Sequence, residues 1–172
     1  ATPGPGSWIL DDIERLRQAR SSSVLLKPQR AWRVRWNKNT DTPLPADEPA
    51  GENPPEGAIL DYVLSSKASL VTLEILDSGG NVVRRYASSD PIAPPRDTAN
   101  VPAYWIRPQR ALSTAPGMHR LTWDLYSPPL ERSGYPIAAI PHNTAPNATS
   151  PVAMPGTYTV RLTVDGKTST QP

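Results

Sequence analysis

The sequence predicts an all-β fold, an antiparallel β-sandwich, on three observations. Apolar residues recur at every second position in three separated stretches: Leu60, Tyr62 and Leu64; Val71, Leu73 and Ile75; and Tyr158, Val160, Leu162 and Val164. That is the period of a strand with one buried face. Proline contributes 22 of the 172 residues, about two to three times the usual share, so long connections run as rigid, extended loops. Helical signals are confined to one short stretch near the start.

Taken in order, residues 1–7 (Ala-Thr-Pro-Gly-Pro-Gly-Ser) read as a linker, followed by an apolar Trp8-Ile9-Leu10. Asp11 and Glu14 stand at the spacing of a capping box, which predicts a short helix over Asp12–Ala19 with Ile13 and Leu16 on its apolar side. This divides the chain into a leading segment, 1–23, and a sandwich domain, 24–172. Ala31–Trp36 alternates Trp32, Val34 and Trp36 with Arg33 and Arg35 and predicts a strand. Residues 37–57 are turn chemistry whose prolines lack the donor a ladder needs, so a long loop leads to the strand Ala58–Leu64.

The Ser-Gly-Gly-Asn run at 78–81 suits a tight turn and joins Leu70–Leu76 to Val82–Tyr86 as a hairpin. A second Pro-rich loop, 88–116, is interrupted by a candidate edge strand at 103–108. Gly117–Tyr126 sets His119, Leu121, Trp123 and Leu125 on one face and Arg120, Thr122 and Asp124 on the other. The third Pro-rich loop, 127–155, precedes the final strand, Thr157–Asp165. No internal repeat is present.

Eighteen basic and 16 acidic side chains give a formal charge of +2 without like-charge blocks. This pattern points to neither a nucleic-acid nor a membrane-surface partner. With no cysteine, disulfides and thiolate zinc sites are excluded. No apolar run is long enough to span a bilayer, no leader opens the sequence, and any secretion signal is expected upstream.

Few residues invite catalysis. The sequence has no nucleophile elbow, phosphate-binding glycine loop, His-Glu-x-x-His or EF-hand spacing. Of its two histidines, His119 begins a strand on the apolar face, where a satisfied imidazole is expected, and His142 lies in a loop. No metal or cofactor site is expected. Asp61, Glu74 and Asp124 fall on outward strand faces, where solvated roles account for them better than a catalytic pair of carboxylates does.

The aromatics are the better candidates. Sugar-binding platforms combine exposed rings with polar neighbours, and Trp32, Trp36, Tyr104 and Trp105, with Arg107 beside them, have that composition. Because the chain has no Phe, the core must draw its large rings from the same Trp and Tyr pool, so burial competes with binding for each ring. Asn147-Ala148-Thr149 matches a glycosylation sequon, relevant only in a eukaryotic secretory pathway.

Four motifs in order, Leu60/Tyr62/Leu64, Val71/Leu73/Ile75 with Asp77 and Gly80, Gly117/His119/Trp123/Asp124, and Gly156/Tyr158/Val160/Leu162, resemble the Ig-like domain of flagellar hook-capping proteins. Separately, Trp8–Asp12, Arg35–Asn37, Asp41–Ala58, Tyr104–Pro108 and Gly117–Leu125 resemble the C-terminal part of bacterial secreted proteins with sortilin-like or BNR propeller repeats. The chain departs from the hook-capping pattern where Leu125 follows Asp124 and a long insertion precedes Gly156; loops of this length commonly serve binding.

The resemblance implies an Ig-like/fibronectin III-like antiparallel β-sandwich with long Pro-rich loops and a short N-terminal helix. It implies a non-catalytic accessory domain, secreted, periplasmic or at the cell surface, that supports or docks on an upstream propeller of the same polypeptide. The alternatives are a carbohydrate- or peptide-binding module, taking a polysaccharide or peptide through loop aromatics, and a glycoside hydrolase fragment.

Overall fold

Among the described residues, seven short strands form because β-branched and aromatic residues alternate with polar ones between turn-forming residues. They are β1 (Val24–Leu25), β2 (Ala58–Leu64), β3 (Val71–Leu76), β4 (Val82–Ala87), β5 (Gly117–Trp123), β6 (Thr159–Val164) and β7 (Lys167–Gln171). The computed structural model describes residues 17–18, 24–34, 57–92, 111–128 and 150–172. All ladders between these strands are antiparallel, in a three-stranded sheet ordered β1-β2-β5 and a four-stranded sheet ordered β4-β3-β6-β7.

The inner faces of the two sheets share one core. Leu25, Leu60, Tyr62, Leu64 and Trp123 from the first sheet meet Val71, Leu73, Ile75, Val160 and Leu162 from the second. Each fully buried aliphatic side chain contributes about 1.5–3 kcal/mol, and this sandwich arrangement is the all-β fold that the alternating stretches predict. The Tyr62 hydroxyl, deep in that core, donates to the Ser113 carbonyl at 2.9 Å. Burial pushes its pKa up to about 12.

Close backbone approach fixes one end of the core. Gly57 has φ +116°, and a Cβ there would lie 2.0 Å from the Trp123 carbonyl oxygen. Only glycine lets β2 begin against the end of β5, and that contact brings Ala58 opposite Trp123.

Several expectations are corrected. The strand expected at Ala31–Trp36 is absent at 31–34, where the backbone is irregular: Pro28 interrupts the chain soon after β1, and among the described residues no strand pairs with 31–34. The first strand is instead the two-residue β1, two residues of ladder against Tyr62 and Val63. The last strand is followed by a hairpin partner, β7, not foreseen from sequence. Its signal was Asp165-Gly166, both at positive φ (46° and 83°), the two-residue turn that strand twist favours. Asp165 also accepts hydrogen bonds from the Ser69 and Leu70 amides, tying this turn to the start of β3.

Of the N-terminal helix, Arg17 and Gln18 are described and helical; the Gln18 side chain accepts from the Lys27 amide at 2.7 Å. Trp8–Leu10, most of loops 37–57, 88–116 and 127–155, the candidate edge strand at 103–108, and His142 lie outside the described residues.

Candidate functional site

Past β1, residues Pro28 to Arg33 line one side of a cleft at the Ala58 and Trp123 end of the core, with Ala153 to Tyr158, ahead of β6, on the other. The cleft holds about 560 Å³, within the range of small-ligand sites. Its floor is Leu60, Ile75 and Val160 of the two inner faces, and its far wall is Trp123 and Tyr158. Trp123 is nearly fully buried, at 3%. It meets Tyr158 edge-on at 5.4 Å between ring centroids, and its indole Nε1 donates to the Tyr126 carbonyl.

The turn is held by Tyr158, whose hydroxyl donates to the carbonyl of Met154, four residues upstream. With the ring pinned this way, the backbone from Met154 to Tyr158 is a fixed wall. On it Met154 is 73% exposed, and across the opening Trp32 is 71% exposed. No other large apolar side chain among the described residues is as exposed as these two. Arg30 lies over the Trp32 ring, its guanidinium carbon 5.8 Å from the centroid, and Arg33 is exposed beside it. Among the described residues no Asp, Glu or His lines the cleft.

The aromatic candidates therefore separate. Trp32 stands at the rim with its ring open to solvent; Trp36, Tyr104, Trp105 and Arg107 lie outside the described residues. Sequence reasoning missed Met154, Arg30 and Tyr158 as partners of Trp32, although two arginines bracketing Trp32 were a readable sign of a cationic rim.

The described carboxylates all have structural partners. Asp61, expected on a solvated face, is corrected: it is buried on the outer side of the three-stranded sheet and takes a bidentate bond from Arg120, at 2.9 and 3.0 Å. Glu74 pairs with Arg161 at 2.8 Å. Asp124 accepts from the Tyr126 amide, and Asp90 from the Ala87 amide while pairing with Arg85. Asp77 accepts from the side chain and amide of Asn81 and from the Gly79 amide, which hold its pKa below the usual carboxylate range. His119 is bonded through Nε2 to the Ala115 carbonyl at 2.7 Å and leans on the Tyr62 ring. Tyr86, on β4, is pushed up to about 12 by burial.

Among the described residues no group of three His, Cys, Asp or Glu side chains has a metal-binding arrangement, and no helix is long and apolar enough to cross a membrane. Comparison with known proteins finds no matching family model, no matching curated protein and no matching solved structure.

Proposed function

We propose that this chain is a non-catalytic accessory domain that works by docking, an Ig-like/fibronectin III-like module of an extracellular multidomain protein. The observation that carries this reading is the division of labour among polar groups: every described carboxylate and His119 serve turns, ladders or ion pairs, while the one cleft described above is lined by rings, methyl groups and arginines. A general base is most often an imidazole or a side-chain carboxylate facing the substrate, and among the described residues the lining holds no His, Asp or Glu.

Two features support the finer fold assignment. Three strands face four in the order β1-β2-β5 and β4-β3-β6-β7, a seven-strand arrangement with the connections of that class. The bond from the Tyr158 hydroxyl back to the Met154 carbonyl, just before the penultimate strand, has the form of the tyrosine corner of such sandwiches. The motif resemblance suggests the docking partner, a propeller on the same polypeptide, and an extracellular, periplasmic or cell-surface setting.

The test is turnover. The purified chain is expected to leave glycoside, ester and peptide substrates at the background rate. Hydrolysis that disappears on Asp61→Asn, Glu74→Gln or Asp124→Asn, with folding retained, overturns the reading.

A further inference from the structure

The cleft's surroundings say more about its ligand than that it is not a substrate undergoing hydrolysis, and the argument here rests on the reading of the chain as a docking module. We propose that the cleft binds an extended acidic peptide segment, with one large apolar side chain seated between Trp32, Trp123 and Met154 and flanking carboxylates held by Arg30 and Arg33.

Charge complementarity gives the sign of the partner. The arginines of the sheets each have an acceptor: Arg84 on the Ser127 carbonyl, Arg85 on Asp90, Arg120 on Asp61 and Arg161 on Glu74. Arg30 and Arg33 have no carboxylate side chain as partner among the described residues, and both line a cleft whose described lining contains no Asp or Glu. Two cations on the lip of a largely apolar cleft attract an anion more strongly than the same charges on a flat surface.

Shape and chemistry give the class. The described lining is mostly apolar, with the core residues Leu60, Ile75 and Val160 behind it, which suits a hydrocarbon or aromatic side chain better than a ring of sugar hydroxyls. Methionine at the rim adapts its shape to varied side chains, and an exposed Trp supplies contact area of the kind that dominates interface energy.

The backbone supplies the remaining element. Beyond the Lys27 amide, no hydrogen bond joins the main chain of 28–34 to another described residue. Its donors and acceptors are thus available to an incoming extended segment, which gains affinity from main-chain pairing and specificity from the pocket. A saccharide would stack on the ring of Trp32 and bond main-chain groups, but would gain little from the apolar lining.

The experiment is a titration of the whole chain with a labelled short peptide of glutamates around a central leucine, read by fluorescence anisotropy and by the Trp32 indole N–H resonance. Binding on the order of 10 μM is expected, with a shift of that resonance. Trp32→Ala should weaken it about tenfold, and the double substitution Arg30→Ala, Arg33→Ala should weaken it and flatten its dependence on salt. These residues are exposed, so unchanged thermal unfolding should accompany each loss. Equal binding of a lysine-for-glutamate peptide, binding that leaves the Trp32 resonance unmoved, no binding at all, or binding of an acidic oligosaccharide in place of the peptide would each overturn the proposal. None of these outcomes involves turnover, so the docking reading stands or falls separately.

Discussion

The two sheets carry the same device on their outer faces and use it differently. In β2 and β5, Asp61 lies directly opposite Arg120; in β3 and β6, Glu74 lies directly opposite Arg161. Both are cross-strand ion pairs between adjacent strands, and both stand at the polar positions of an alternating strand. Yet the Asp61 side chain is 1% exposed and the Glu74 side chain 21%. Next to Asp61, Leu26 is also buried, although it points away from the core that Leu25 enters. The three-stranded sheet is thus buried on both faces around Asp61, whereas β3 alternates between buried and half-buried residues.

The lesson is energetic. An ion pair in water contributes little, because the solvent screens it and two long side chains must be ordered. A buried one contributes little net stability too, but removing one partner exposes the other to a large desolvation penalty. The two sheets should therefore respond to the same substitution very differently.

The largest effect is expected at the closed end of the three-stranded sheet. Trp123→Ala removes the ring that joins β5 to Tyr158 and should cost about 3–5 kcal/mol, measured by urea unfolding; Trp32→Ala, at an exposed site, should change stability by less than about 0.5 kcal/mol. Equal effects would mean that the cleft wall and its rim are not distinct.

Arg120→Ala comes next. It deprives a buried carboxylate of its bidentate partner and should cost about 3 kcal/mol. A loss no greater than that of Arg161→Ala would erase the difference between the sheets.

Each sheet also holds a tyrosine that resists ionisation, Tyr62 on β2 and Tyr86 on β4, both pushed up to about 12 by burial. In the unfolded chain tyrosine titrates near about 10. Because the folded values are raised, this contribution to stability is complete below about pH 10 and is lost as the pH rises through about 12. Absorbance titration should show two of the six tyrosines ionising late, together with loss of the fold. Six equivalent tyrosines titrating while the β signal persists would contradict their burial.

A smaller effect is expected when both members of the buried pair are replaced. Asp61→Leu with Arg120→Leu should fall within about 1 kcal/mol of the parent, since it removes the desolvation of the buried Asp61 carboxylate along with its partner. A loss as large as that of Arg120→Ala alone would show that the charges do more than satisfy each other.

The smallest is Arg161→Ala, at under about 1 kcal/mol, and it should shrink further in high salt, because the half-buried Glu74 keeps access to solvent and the pair is partly screened. Insensitivity to salt would place Glu74 in the same class as Asp61.

How far these features were legible varies by element. Period-two alternation identified β2, β3, the hairpin to β4, β5 and β6, and the inward residues Leu60, Tyr62, Leu64, Leu73, Val160 and Leu162, because a strand with one buried face writes its register into the sequence. β1 was not legible, since two residues carry no period. β7 (Lys-Thr-Ser-Thr-Gln) carries no apolar alternation, and only the preceding Asp-Gly turn announced it.

Trp32 and Trp123 show the other limit. Both sit in alternating stretches, Trp32 with Val34 and Trp123 with Leu121, and nothing local distinguishes them. Trp123 is covered because Gly57 admits the backbone of β5 against β2 and Tyr158 arrives from a distant turn; Trp32 is open, and among the described residues no strand pairs with its segment.

Composition and periodicity by themselves determined the all-β class, the inner faces and the absence of cysteine chemistry, since these depend on residue type and spacing alone. The tertiary structure decided which ring is core and which is rim, which carboxylate is buried, and that Arg30, Arg33, Met154 and Tyr158 meet around one opening. Burial and convergence are set by contacts between residues far apart in the chain, and a local pattern holds no record of them.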